Sequence, residues 1–468
     1  MHVDAATKSA NDPGAARIAV IGGGITGLAA AQRLVELADA ADARDVGIEV
    51  FDSAPQPGGC FGTERIGDYV IETGADSFIT DKPWALDLCR RLGLESRLIG
   101  IDPRYRRALI VRKGRLWPAP EGLSLLAPTR LAGLLQTKLL SPAGKLRAAA
   151  EYFVPRRRAT DDESIAAFAR RRFGREMYER VVQPLVGGIY TGDPARLSLS
   201  ATFPRFVEME REWGGLIRGV QGQFATRGER ATDSGVRYGL FATPREGMSE
   251  LQHALRDRVL ARGTVHCKTR ITAIRRGLGG GAAYEIETEA GARHPADAVI
   301  LALPAWRAAD TLSAWAPDLG RELRSIDYAS SAIVVTGHRL EDIAHPLDAA
   351  GLVIPHLEWR RILAVSFLSR KFPSRAPQGR IILRTFVGGA LQPEQLDNDD
   401  DAIVRLVREE LAELLGVRGE PEFVRVVRYE RAMPQYELGH LQRVARIEQL
   451  VSQIGGLELA GNAYRGVR

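Results

Sequence analysis

An apolar strand, Arg17-Ile18-Ala19-Val20-Ile21, runs directly into Gly22-x-Gly24-x-x-Gly27 and on into the alanine-rich stretch Leu28-Ala29-Ala30-Ala31. Few patterns constrain a fold so tightly. Gly22 permits the tight turn, Gly24 lets a pyrophosphate approach a backbone without a Cβ, and Gly27 lets helix and strand pack closely. The turn between Gly23 and the helical residues Ile25 and Thr26 then presents free N–H groups and the positive end of the helix dipole. A dinucleotide is the expected ligand, and a doubly wound α/β domain the expected fold. The alternative is a glycine turn that only packs.

The context supports the first reading. A second strand, Ile48-Glu49-Val50-Phe51, ends in Asp52, 25 positions after Gly27, where a carboxylate can accept hydrogen bonds from a ribose diol. Gly58-Gly59 follows at once, and Tyr69-Val70-Ile71-Glu72-Thr73-Gly74-Ala75-Asp76-Ser77 lies farther on. A second glycine pair is not needed by a simple NAD domain. It resembles the extended nucleotide motif of the FAD-binding amine-oxidase superfamily, in which that pair packs under the ribose and phosphate. An ordinary loop after a strand is the competing reading.

The 468 residues suffice for two or three domains. With 45% hydrophobic and 26% charged residues, the balance is that of a globular protein. The net charge of +6 is mostly arginine and suits carboxylate partners or an anionic membrane surface. No aromatic-interleaved basic motif supports nucleic-acid binding. Cys60, Cys89 and Cys267 are scattered without a CxxC pair, which fits a reducing cytosol and neither zinc nor a redox disulfide. The eight histidines form no HxxxH or HExxH, so no metal site is expected. Residues 1–16 read as a disordered tail without a secretory signal, and no run of 18 apolar residues predicts a transmembrane helix.

Along the chain, apolar spacing predicts a helix over 84–98 and a hairpin from Ala108-Leu109-Ile110-Val111 to Gly114-Arg115-Leu116-Trp117-Pro118. From Leu123 to about 220 the pattern is mostly helical. The stretch Leu131–Leu140 reads either as a surface helix touching lipid or as a helical subdomain packed on itself. A helix opens at Glu246, a continuous strand is expected over Val265–Ile274, and Gly277–Gly281 forms a hairpin turn before Tyr284–Thr288. Asp297–Pro304 reads as a buried strand returning to the nucleotide sheet, which makes that domain discontinuous. Strands at 331–335, 362–367 and 381–386 suggest a mixed sheet able to wall a pocket.

Several stretches point to one family. They are Arg172-Phe173-Gly174-x-Glu176, Pro184-Leu185-Val186-Gly187-Gly188-Ile189-Tyr190-Thr191-Gly192-Asp193-Pro194, Phe372-Pro373-Ser374-Arg375-Ala376-Pro377 and Leu383-Arg384-x-Phe386-x-Gly388-Gly389. Met433-Pro434-Gln435-Tyr436-x-x-Gly439-His440-Leu441 and Leu459-Ala460-Gly461-Asn462-Ala463-Tyr464-Arg465-Gly466-Val467 complete the set. Spread over 17–467, they resemble the FAD-dependent protoporphyrinogen and coproporphyrinogen oxidases of haem biosynthesis. The resemblance implies an FAD-binding domain over 17–82, 244–303 and 430–468. It also implies a substrate domain over 83–120 and 304–429 and a helical, membrane-associating insertion over 121–243.

It further implies that FAD lies with its pyrophosphate at Gly22, Gly23, Gly24, Ile25, Thr26 and Gly27, and its ribose at Asp52, above Gly58 and Gly59. Gly74, Ala75, Asp76 and Ser77 match the segment beside the flavin, Ile271 the strand residue whose backbone meets the adenine, and Gly461 to Val467 the closing motif. On the substrate side, Arg107 matches an arginine that binds a propionate. Gly351 and Val353 match the loop over the macrocycle, and Phe386 an apolar wall. Without the match, Arg107 reads equally as a solvated charge, and Val353 and Phe386 as core. Tyr429 replaces the family's tryptophan, Cys60 replaces its basic residue after Gly58-Gly59, and the family's loop and helix beyond Gly-Val do not follow within the sequence to Arg468.

The implied chemistry is six-electron dehydrogenation of a porphyrinogen in three two-electron cycles, with hydride passing to flavin and O2 as acceptor. The protein orients the substrate and excludes water, and no catalytic side chain is expected. The expected setting is cytoplasmic, with peripheral contact at the inner face of the cell membrane, and a homodimer is an open expectation. Two rivals stay open: another amine-oxidase-type oxidase or desaturase, and a non-catalytic FAD-fold binding protein.

Overall fold

Val20, Ile21, Ile48, Val50, Phe51, Val299 and Leu301 are almost wholly buried, and the strands that carry them form a five-stranded sheet. Its order is Thr264–His266, Val46–Phe51, Ala16–Ile21, Ala298–Leu301, Leu457–Leu459, and every neighbouring pair is parallel. Strands this apolar suit a parallel sheet covered on both faces. The structure, a computed structural model, describes residues 16–43, 45–124, 127–128, 131–227, 240–277 and 282–466. Two compact units divide the chain, one built from residues up to Gly62, Ser249–Ile326 and Gln442–Gly466, the other from Thr63–Met248 and Asp327–Leu441.

In the first unit the helix Ile25–Ala40 buries Leu28, Ala31, Val35 and Ala38, the stripe that a 3.6-residue period places on one face. The first strand has its sequence neighbour Val46–Phe51 on one side and the distant strand Ala298–Leu301 on the other. Strand order therefore reverses at the first strand, and the crevice at such a switch point is where open α/β sheets bind ligands. The expected strand over 265–274 is instead two strands. Thr264–His266 joins the parallel sheet, the chain turns at Lys268 with φ +52°, and Ile271–Arg276 pairs antiparallel with Tyr284–Thr288. Gly277 N donates to Ala283 O at 2.9 Å, so the described ends of the glycine-rich stretch close as a hairpin; residues 278–281 lie outside the described residues. Residues 304–326, read from sequence as substrate domain, fold as helices Ala305–Leu312 and Pro317–Arg324 within this first unit.

The second unit is organised by a seven-stranded mixed sheet. Its order is Phe423–Pro434, Tyr328–Arg339, Arg380–Gly388, Ala364–Phe367, Gly351–Val353, Ala108–Arg112, Arg115–Pro118. Only the Gly351–Val353 and Ala108–Arg112 pair is parallel among these neighbours. One face buries Ala332, Val334, Leu383, Val365 and Leu352 against the helix Asp400–Leu415, through Ile403, Val407, Leu411 and Leu415. That helix is capped by the Asp399 carboxylate, which accepts from Ala402 N, and stopped by left-handed Gly416. Residues 63–82, read from sequence as nucleotide domain, belong here. The hairpin Thr63–Ile66 and Tyr69–Glu72 is anchored by fully buried Glu72, which accepts from Thr63 Oγ1 at 2.9 Å and Met248 N at 3.1 Å and pairs with buried Arg375 at 3.1 Å. Burial pushes the Glu72 carboxyl up to about 7 against the pull of Arg375.

The helical region begins after a pair of two-residue strands, Leu123–Ser124 and Ala127–Pro128. Its core gathers Phe168, Phe173, Met177, Val181, Val186 and Phe206. Leu134, Leu139 and Leu140 join that core, and the helix runs only over Leu131–Gln136, so most of the leucines offered as a lipid face are spent on packing. Arg172 and Glu151, both fully buried, form an ion pair inside it. Glu151 also accepts from Leu216 N and Ile217 N at 2.9 and 3.1 Å, satisfying open N–H groups at the start of the helix Leu216–Arg227. The helix expected over 84–98 ends earlier, as Pro83–Arg91, because Gly93 takes φ +74° before a 3-10 turn at Glu95–Arg97.

Candidate functional site

At the carboxyl edge of the parallel sheet, Gly22 takes φ +102°, and a Cβ there would lie 2.4 Å from Ala302 O. Gly27 is tighter still, since its Cβ would meet Gly22 O at 1.8 Å. Gly24 caps the helix Ile25–Ala40 with no side-chain hydrogen bond, so the N–H groups of its first turn, at Thr26 and Gly27, are left for another acceptor. Gly58 N donates to Gly23 O at 2.8 Å, and a Cβ on Gly59 would come within 3.0 Å of Gly24 Cα. The two glycine motifs thus face each other backbone to backbone. Gln252, donating to Pro57 O, holds the second in place.

Asp52 closes this cradle. Its Oδ1 accepts from Ala54 N at 2.7 Å, and a Cβ on Gly23 would lie 2.7 Å from its Oδ2. Burial pushes its carboxyl up, and the N–H groups of Ala54 and Gly23 oppose that shift. Thr269 N donates to Asp52 O at 2.8 Å, and Ile271 follows two residues after this contact. Gly461, with φ +145°, follows the strand Leu457–Leu459 at the same sheet edge, where Ala460 N donates to Leu301 O at 2.9 Å. Val467 lies outside the described residues. A bare backbone surface, open helix N–H groups and one carboxylate beside them fit the pyrophosphate and ribose of a dinucleotide.

In the second unit, the segment Thr73–Ser77 is tied down at almost every residue. Tyr429 Oη donates to Thr73 O at 3.1 Å, and Arg384 donates to Gly74 O. Asp76 meets Lys371 Nζ at 2.9 Å and Arg384 Nη1 at 2.9 Å, and Ser77 Oγ donates to it at 2.6 Å. Burial pushes the Asp76 carboxyl up, but Lys371 and Arg384 outweigh it and hold it well below the usual carboxylate range. Ala75 sits within this clamp. Neither Lys371 nor Arg384 was singled out from the sequence as a site residue. The signal was present in Ile381-Ile382-Leu383-Arg384-Thr385-Phe386, where a charge inside an apolar strand demands a buried partner.

The remaining expected residues meet on the seven-stranded sheet. Ala364 pairs in register with Val353 on one side and Phe386 on the other, and Gly351 pairs with Ser366 and with Ala108. Arg107, just before Ala108, donates to the Asp348 carbonyl at 2.8 Å and pairs with the Asp348 carboxylate, leaving a half-exposed guanidinium already partly engaged. Cys60 is exposed, and the three cysteines are free thiols. Among the described residues no group of His, Cys, Asp and Glu could hold a metal ion, and no helix is long and apolar enough to cross a membrane.

The sequence profile of the family described as flavin containing amine oxidoreductase matches residues 25–467. The coproporphyrinogen III oxidase of Bacillus subtilis (strain 168) is 32% identical over 97% of this chain and 95% of its own length. That of Staphylococcus aureus (strain NCTC 8325 / PS 47) is 30% identical over 96% and 95%. The chloroplastic protoporphyrinogen oxidase of Oryza sativa subsp. japonica is 28% identical over 96% and 84%. A crystal structure from Exiguobacterium sp. 255-15 superposes with a TM-score of 0.82 at 30% identity, covering 97% of this chain and 95% of that one. Reduced UDP-galactopyranose mutase shares the fold, with a TM-score of 0.67 at 15% identity over 95% and 89%. A flavin held as a dinucleotide is FAD, and with FAD as its cofactor this chain belongs to the flavin containing amine oxidoreductase family.

Proposed function

We propose that this chain oxidises a porphyrinogen to the porphyrin, removing six electrons in three two-electron steps and consuming three O2 with release of three H2O2. The observation that carries this reading is the match to named porphyrinogen oxidases across nearly the whole chain. Coproporphyrinogen III is the favoured substrate, because the curated relatives named for it are 30–32% identical and those named for protoporphyrinogen 24–28%. FAD supplies the two-electron acceptor when bound.

The chain's own residues bind and orient. The glycine cradle and Asp52 hold the nucleotide end of FAD, and within the second unit Lys371 and Arg384 keep the Gly74–Ser77 backbone fixed. A porphyrinogen is a broad apolar disc with carboxylates on its rim, and it wants flat walls with cations at the edge. Val353, Ala364 and Phe386 make such a wall, with Gly351 beside them and Arg107 at the strand end, where its remaining N–H groups can meet a propionate. No side chain is assigned to abstract a proton, because the pyrrole N–H groups release protons as the rings are oxidised. Exposed Leu146 and Phe153, close in sequence to Lys145 and Arg156, support peripheral contact with an anionic membrane surface.

The test compares initial rates of porphyrin formation from coproporphyrinogen III and protoporphyrinogen IX by FAD-loaded protein. Faster turnover of coproporphyrinogen III is expected. Faster turnover of protoporphyrinogen IX overturns the substrate assignment, and no porphyrin from either overturns the reaction.

A further inference from the structure

The register of the seven-stranded sheet places a polar side chain in the middle of the proposed substrate wall. Ser366 lies directly across from Gly351 on one neighbouring strand and from Arg384 on the other, while Ala364, two residues earlier, lies between Val353 and Phe386. Residues in direct register share a face, as do residues two apart on one strand. Gly351, Val353, Ala364, Ser366, Arg384 and Phe386 therefore stand on one side of the sheet, opposite the face that packs on the helix Asp400–Leu415.

This patch has built margins. Arg384 ties one margin to Gly74 and Asp76. At the other, Gly188 of the helix Gln183–Tyr190 approaches so closely that a Cβ on it would lie 3.2 Å from Val353 Cγ1. Between them Gly351 leaves the strand bare beside Ser366, and any Cβ there would strike Val365 O at 2.4 Å. Ser366 itself is half-buried, and its Oγ is shielded from solvent without a hydrogen-bond partner. A buried hydroxyl without a partner is unusual in a folded protein and asks for a reason.

Chemistry supplies one. A porphyrinogen presents four pyrrole N–H groups at its centre and no acceptor there, so a complementary wall needs an acceptor near the middle of the disc. Arg384 only donates, with Nη1 on Asp76, Nη2 on Gly74 and Nε without a partner, whereas a serine hydroxyl can accept. A turn about χ1 between staggered positions redirects Oγ and breaks no existing bond. We propose that Ser366 is a substrate-binding residue that accepts a hydrogen bond from a pyrrole N–H of the porphyrinogen, a role that rests on the reaction assigned above.

The test is steady-state kinetics of FAD-loaded wild type, Ser366→Ala and Ser366→Thr with coproporphyrinogen III, alongside urea unfolding of each. Loss of one ground-state hydrogen bond predicts a KM about three- to tenfold higher for Ser366→Ala with kcat within about twofold. The unfolding midpoint and flavin spectrum stay at wild-type values, since no protein group bonds the hydroxyl, and Ser366→Thr restores part of the lost KM. An unchanged KM in an active Ser366→Ala enzyme overturns this role alone. So does a fall in the unfolding midpoint that accompanies the kinetic loss, because it marks a structural hydroxyl. A wild type that oxidises no porphyrinogen overturns the reaction, and this role with it.

Discussion

Gly27→Ala is expected to give a folded protein that no longer retains FAD. The new Cβ would sit 1.8 Å from Gly22 O, 3.0 Å from Gly22 C and 3.2 Å from Ala302 Cβ. The first two are backbone atoms, so no rotamer relieves the clash, and the helix Ile25–Ala40 must move away from its strand. Overpacking of this kind costs about 1–3 kcal/mol, which a domain stable by about 5–15 kcal/mol survives. The N–H groups at the helix start do not survive it in place. Losing one or two hydrogen bonds to a charged phosphate, about 1.5–3 kcal/mol each, costs on the order of 100-fold in affinity. Circular dichroism should remain native while FAD affinity falls by about that factor and the purified protein loses its yellow colour. Gly47→Ala is the matched control, because a Cβ there meets nothing nearer than 3.9 Å, and it should keep its flavin. Wild-type FAD affinity in Gly27→Ala would contradict the cradle.

Asp76→Ala should be among the most destabilising single changes in the chain. It removes the carboxylate shared by Lys371 and Arg384, whose side chains are only 14% and 2% exposed, and leaves two like charges buried together. Removing one partner of a buried ion pair costs about 3–5 kcal/mol. The effect carries a pH signature. The folded-state pKa of Asp76 lies below its unfolded value, so its contribution is complete above about pH 4, the unfolded carboxylate value, and is lost as pH falls toward the depressed folded value. Urea unfolding of wild type and variant should therefore show a wide stability gap at neutral pH that narrows in acid. A gap below about 1 kcal/mol, the range of a surface pair, would show that the clamp contributes little.

How much of this was legible in the sequence follows from the range of the interactions. The glycine turn could be read because its causes are local: each of Gly22, Gly24 and Gly27 answers a steric demand set within a few residues, and Asp52 ends the next strand. The mixed sheet could be read from β-rich apolar runs in the last third. The break at Lys268 could not, because Val265 and Ile274 look alike in an apolar pattern, and only the different sheets they join force the chain to turn between them. The stretch Leu131–Leu140 was ambiguous for the same reason, since a leucine that packs and one that meets lipid share a residue type. Least legible was the Asp76 clamp, in which the carboxylate lies some 300 positions before its two cations along the chain. Arg384 announced that a partner existed, and only the fold names it.

The central claim is that a flavin held at the glycine turn takes electrons from a porphyrinogen. Mixing FAD-loaded protein with coproporphyrinogen III in the strict absence of O2 addresses it most directly, with flavin absorbance and porphyrin fluorescence followed together. The oxidised flavin band should bleach in one phase with the uptake of two electrons per site, and porphyrin should accumulate catalytically only once air is admitted. A flavin that stays oxidised while the porphyrinogen remains colourless would contradict the account.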